Sequence, residues 1–113
     1  MVALSKLAAM DLVRDGSVLV LEGPLDGRCT FEVRTALYDH LASYDDVVVD
    51  VAEVEWIDAT ALRMLAVATR FAERGGQHLT LRGLNPHLRR ALRHSRISNL
   101  LELEGGADAS RAM

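Results

Sequence analysis

Two kinds of apolar pattern alternate along this chain, and that alternation restricts the fold more than any other feature of the sequence. Val18-Leu19-Val20-Leu21 and Val47-Val48-Val49-Asp50-Val51 are runs of aliphatic, mostly β-branched residues, the pattern of strands covered on both faces. Leu79-Thr80-Leu81 is a shorter run of the same kind. Between and after these runs the apolar residues recur with a period near 3.6. Val33, Ala36, Leu37, His40, Leu41 and Tyr44 predict a helix over residues 30–43.

Residues 59–74 carry the strongest helical pattern. Leu62, Leu65, Ala66, Thr69 and Ala72 share one face, and Ala61, Met64, Ala68 and Phe71 adjoin it. Gly75-Gly76 ends the run with residues suited to a helix C-cap. Arg63, Val67, Arg70 and Arg74 form the opposite stripe, which fits a solvated face or a surface for an acidic partner. A third helix opens at Asn85-Pro86, a capping residue followed by proline in the first turn, and its spacing buries Leu88, Ala91 and Leu92.

Asp15-Gly16 separates two strand-like stretches, Met10–Arg14 and Ser17–Glu22, as a hairpin, so the sheet is mixed and not purely parallel. Leu100–Leu103 reads as a short edge strand. Strands alternating with helices in a chain of 113 residues describe one α/β domain, a mixed central β-sheet covered by α-helices. That domain spans residues 1–104, and the small, polar residues 105–113 read as a flexible C-terminal tail.

Composition narrows the function. Aromatic residues make up 4% of the chain, so the core is aliphatic and offers no aromatic cage for a cofactor. A net charge of −3 disfavours nucleic acid, and the basic segment Arg89, Arg90, Arg93 and Arg96 with His87 and His94 lacks interleaved aromatics. No apolar run approaches the ~20 residues of a membrane-spanning helix, and Leu7-Ala8-Ala9-Met10 is too short for a signal-peptide core, so we expect no membrane insertion and a cytoplasmic protein. Cys29 is the single cysteine, which excludes an internal disulfide and suits a reducing compartment. His40, His78, His87 and His94 form no pair at metal-ligand spacing. Gly75-Gly76 has neither the lysine nor the spacing of a phosphate loop. The sequence calls for no metal or cofactor, and without a catalytic dyad it does not read as an enzyme.

The block from Val47 to Leu62 resembles the central motif of the STAS domain, the fold of bacterial anti-sigma-factor antagonists. In that family a buried strand ends in Asp, here Asp50, and a turn leads to an apolar-apolar-Asp-Ser-Ser/Thr-Gly-Leu segment, here Trp56-Ile57-Asp58-Ala59-Thr60-Ala61-Leu62. Gly23-Pro24-Leu25-Asp26 is similar to the family's Gly-x-Leu-Asp approach to its first helix. Leu84-Asn85-Pro86 and the stretch to Ile97-Ser98-Asn99-Leu100-Leu101 are similar to its C-terminal part. The resemblance covers residues 10–103.

It implies a protein that binds a kinase-type anti-sigma factor to regulate transcription, and whose binding is abolished by phosphorylation of the serine after the motif aspartate. This chain departs from the pattern at that serine: Ala59 takes its place and Ala61 that of the glycine. Thr60 is the remaining hydroxyl, about 100° further round the helix, and is either a substitute acceptor or a first-turn hydrogen-bonder. The expectation is a phosphorylation-insensitive STAS protein that meets its partner through Asp26, Trp56, Asp58, Ala59, Thr60 and Arg63. Asp58 has an ordinary structural role as helix N-cap, which does not exclude partner contact. Trp56 is either a partner anchor or a lid on the core. Asp26 reads as a turn residue or as part of the same surface. Asp50 is expected to be buried and bonded to backbone N–H groups of the turn before Trp56. Two alternatives share the fold: the STAS subunit of a lipid-transporting ABC complex, and a module holding a nucleotide or anion at the start of the 59–74 helix.

Overall fold

The computed structural model describes residues 4–7, 10–93 and 96–103. A six-stranded sheet runs in chain order, β1 (Leu4–Leu7), β2 (Met10–Asp15), β3 (Val18–Glu22), β4 (Asp46–Glu53), β5 (His78–Arg82) and β6 (Glu102–Leu103). The first two pairings are antiparallel and the last three parallel. Helix α1 (Thr30–Ser43) links β3 to β4, α2 (Ala59–Arg74) links β4 to β5, and α3 (Pro86–Leu92) with a 3-10 turn (Arg96–Leu100) links β5 to β6. The expected mixed sheet, the hairpin and the helices over 30–43 and 59–74 are all present. The expected tail at 105–113 lies outside the described residues.

Local sequence accounts for these elements. Gly16 adopts φ 60° at the first position of the two-residue loop between the paired Asp15 and Val18, a conformation primed hairpin turns require. Asn85 caps α3, its side chain accepting from Leu88 N at 2.8 Å ahead of Pro86 in the first turn. Gly83, at φ 84°, closes β5 against β4: a Cβ there would lie 3.0 Å from the Ala52 Cβ.

The sheet departs from expectation in being covered on one face. Strands follow one another in space, and parallel crossovers of a single hand put every helix on the same side. Burial alternates to match: Leu19, Leu21, Val47, Val49, Val51, Leu79 and Leu81 are sealed, while Val18, Val20, Val48 and Thr80 on the other face are only half-buried. The continuous apolar runs thus reflect β-branched strand preference as well as burial. Val33, Ala36, Leu37 and Leu41 of α1 and Leu65, Ala68 and Ala72 of α2 complete one core. Ala91 is exposed, so α3 buries only Leu88 and Leu92. Strand β1 goes beyond the sequence reading; Leu-Ser-Lys-Leu is too short and mixed to announce a strand.

Candidate functional site at the start of the second helix

The chain reaches α2 through one parallel bridge between Leu25 and Ile57. Leu25 N donates to Trp56 O at 3.1 Å and Asp58 N donates to Leu25 O at 3.0 Å, which sets the segments leading into α1 and α2 side by side. A helix start leaves its first N–H groups without intrahelical acceptors. Here the Asp58 amide bonds Leu25, and Ala61 N donates to Asp58 Oδ1 at 2.8 Å. Ala59 and Thr60 supply the two remaining donors, and both residues are exposed. Asp58 is thus the expected N-cap. Its second oxygen has a further role: Gly27 N donates to Asp58 Oδ2 at 3.0 Å, so one carboxylate ties the lead-in of α1 to the first turn of α2.

Asp26 stands at this corner, yet it is buried. Arg28 wraps it, donating from backbone N at 2.9 Å to Oδ1 and from its terminal nitrogen at 2.8 Å to Oδ2, with Nε 3.2 Å from both oxygens. The Arg28 side-chain and backbone hydrogen bonds hold the Asp26 carboxyl below the usual carboxylate range. The outward charge here is the largely exposed Arg28 guanidinium and not the Asp26 carboxylate expected from the sequence. Cys29 lies beneath, its thiol donating to Asp26 O at 3.2 Å, and burial pushes its pKa up, the opposite of an activated nucleophile.

Trp56 is 47% exposed, and its neighbour Ile57 is the residue that packs on the core. Thr60 is exposed, and its hydroxyl makes no hydrogen bond among the described residues, which removes the structural bond considered for it. Arg63 is exposed one turn further along α2. Trp56, Ala59, Thr60 and Arg63 are thus exposed around the Asp58 cap, Thr60 and Arg63 line one hollow, and Asp26 is buried beside them.

Sequence reasoning missed Phe31 and Arg34. Phe31 is 68% exposed on the first turn of α1 and sits under the Arg34 guanidinium, 5.7 Å from it. With Thr60, Arg63, Met64 and Tyr38 they line a hollow of about 320 Å³ between the two helices. The available signal was that Phe31 falls off the Val33–Leu37 stripe of its helix.

Asp50 faces the open side of the sheet and is half-buried, not sealed as expected. It accepts from Ala52 N at 2.9 Å, just beyond it in β4, and from Arg82 at 3.0 Å, its register partner on β5. Among the described residues no group of His, Cys, Asp and Glu is placed to hold a metal ion. No helix there is long and apolar enough to cross a membrane.

The fold is similar to that of several solved proteins. A candidate anti-sigma factor antagonist from Thermotoga maritima superposes with a TM-score of 0.67 at 15% identity, over 89% of this chain and 91% of that one. An anti-sigma factor antagonist from Mycobacterium paratuberculosis gives 0.63 at 19% identity, over 99% and 93%. The unphosphorylated anti-sigma factor antagonist SpoIIAA, also solved phosphorylated as a Bacillus cell fate determinant, gives 0.58 at 13%, over the full length of both chains. No curated protein sequence matches significantly. The family model described as the Mlab STAS domain matches residues 8–103, nearly all of the sheet and helices above, and the chain accordingly belongs to the STAS-domain family.

Proposed function

We propose that this chain is a non-enzymatic partner-binding module, an antagonist-like STAS protein that docks a kinase-type anti-sigma factor through the corner formed by Trp56–Thr60 and Arg63, in the bacterial cytoplasm. The observation that carries the reading is the state of position 59. Ala59 is exposed as the first residue of α2, after its N-cap, and the resemblance to the family motif puts the phosphorylated serine at this position. A dianionic phosphate is compatible with a helix start but opposes docking on the same surface. With a methyl group in its place, the corner stays receptive. The half-exposed Trp56 ring supplies an aromatic anchor of the kind that dominates protein interfaces.

A second reading, the STAS subunit of a lipid-transporting ABC complex, has its own support: the matching family model is that of the Mlab STAS domain, and permanent docking needs no acceptor hydroxyl at 59. A nucleotide or anion at the helix start has no independent observation in its favour.

Titration against kinase-type anti-sigma factors and against ABC ATPase subunits separates the readings. Ala59→Glu places a carboxylate at a helix start that accepts it, so the fold persists while docking weakens by at least about tenfold, as it does in Trp56→Ala. With kinase and ATP, Ala59→Ser gains one phosphate by intact mass and the natural chain gains none. Binding undisturbed by Ala59→Glu and Trp56→Ala together refutes the docking corner. Saturable binding to an ATPase subunit alone selects the second reading, and a phosphate on Thr60 of the natural chain restores a switch in place of the insensitive form.

A further inference from the structure

Beyond the corner, and sharing Arg63 with it, α2 carries a surface that its fold does not consume. Val67 and Phe71 are 62% and 52% exposed on the side of α2 turned from the sheet. Tyr38 of α1 meets the Phe71 ring edge-on, with centroids 5.0 Å apart, and Leu100 of the 3-10 turn stands on the far side, 37% exposed. Together they floor a groove of about 720 Å³ whose remaining lining includes Arg63, Arg70 and Arg74. Among the described residues no acidic residue lines it, and none of these guanidinium groups lies within ion-pair distance of a carboxylate. An apolar floor beside uncompensated positive charge, on a protein whose net charge is −3, is a local exception to the molecule's electrostatics.

We infer that this groove binds an acidic amphipathic helix of a partner protein. Charge complementarity selects the sign: three arginines with no counter-ion among the described residues match Asp or Glu flanking an apolar stripe. Spacing selects the shape. Arg63 and Arg74 are eleven residues apart, about 16 Å along the axis, the length of about three turns of a helix laid in the groove. The walls are helices and a 3-10 turn, so no free strand edge is available there for β-augmentation, and an apolar stripe at i, i+3, i+4 and i+7 is the matching ligand pattern. An anionic membrane is the poorer fit, because a broad negative surface also meets the net negative remainder of the protein, whereas a single helix meets the groove alone. The groove shares Arg63 with the docking corner, while Val67, Arg70, Phe71 and Arg74 lie outside it.

The test uses a dye-labelled peptide of about 18 residues with Leu at i, i+3, i+4 and i+7 and Glu beside them, a scrambled peptide of equal composition, and phosphatidylcholine–phosphatidylglycerol vesicles. Anisotropy titration of the intact chain is expected to show saturable binding of the patterned peptide, weakened at higher salt. Arg70→Glu with Arg74→Glu, both at exposed positions, weakens it by about tenfold, and Phe71→Ser weakens it without changing the salt dependence. Equal binding of the scrambled peptide, no saturable binding, indifference to the double arginine reversal, or binding to vesicles but not to the peptide each overturns the inference. Failure of the corner alone appears instead as lost sensitivity of anti-sigma-factor docking to Ala59→Glu.

Discussion

Replacing Asp58 separates its two hydrogen bonds and tests whether one carboxylate couples the starts of α1 and α2. Its Oδ1 accepts from Ala61 N at 2.8 Å in a partly buried setting, and its Oδ2 accepts from Gly27 N at 3.0 Å at the surface. Loss of an N-cap acceptor costs about 1 kcal/mol. Loss of the Gly27 bond costs less, roughly 0.5 kcal/mol, because water reaches the freed N–H. Asp58→Ala therefore lowers stability by about 1.5 kcal/mol, which in a domain of this size lowers Tm by roughly 6 °C. Asp58→Asn keeps an acceptor oxygen for Ala61 but turns its amide nitrogen, a donor, toward the Gly27 N–H. It costs about 0.5 kcal/mol and roughly 2 °C. Urea unfolding followed by circular dichroism reads both as midpoint shifts at constant slope. Equal losses for the two variants, or an alanine loss below about 0.5 kcal/mol, refute this division of labour.

Gly83→Ala forces a left-handed φ of 84° on a residue with a Cβ and drives that Cβ to 3.0 Å from the Ala52 side chain and 3.3 Å from its backbone. It is expected to cost about 2 kcal/mol or more by urea unfolding, and a loss under about 0.5 kcal/mol removes the close-packing argument. His40 is buried with its Nε2 unpartnered among the described residues, and its pKa is lowered by burial first and by the Arg14 charge second. The unfolded chain thus binds a proton at higher pH than the folded one does. The His40 contribution is complete above about pH 6.5 and is lost as pH falls through the folded pKa. His78, raised by its hydrogen bond to Glu102, acts in the opposite direction and loses its contribution as pH rises through its folded pKa. In His40→Leu, on a His78→Gln background, the fall in urea midpoint between pH 7.5 and 5.5 is smaller than in His78→Gln alone; an unchanged slope with pH refutes the assignment.

Helices α1 and α2 were legible in the sequence because a period of 3.6 over fourteen or more residues has few competing explanations. The hairpin was legible because Asp15-Gly16 supplies turn chemistry. Coverage of the sheet was not: Val18, Val20 and Val48 satisfy strand preference on a half-open face as well as in a core. Within the site, the Asp58 cap followed from its place before a helical run, whereas its bond to Gly27 spans 31 positions and depends on the Leu25–Ile57 bridge, which no local pattern encodes. The Arg82 partner of Asp50 was hidden for the same reason, being set by strand register. Asp26 read as a turn residue or as part of the surface: the Arg28 N–H bond to its Oδ1 is of the turn kind, whereas the clasp by the Arg28 side chain is invisible to periodicity.

Because β3 through β6 run parallel and each helix follows a strand, α1, α2 and α3 all begin at one end of the sheet and run back toward the other. Their peptide dipoles add where an up-and-down arrangement would cancel them. The molecule is electrically lopsided along its strands in a way that a count of ionised groups does not register. The end holding Thr30, Ala59 and Pro86 gathers the positive poles of all three helices.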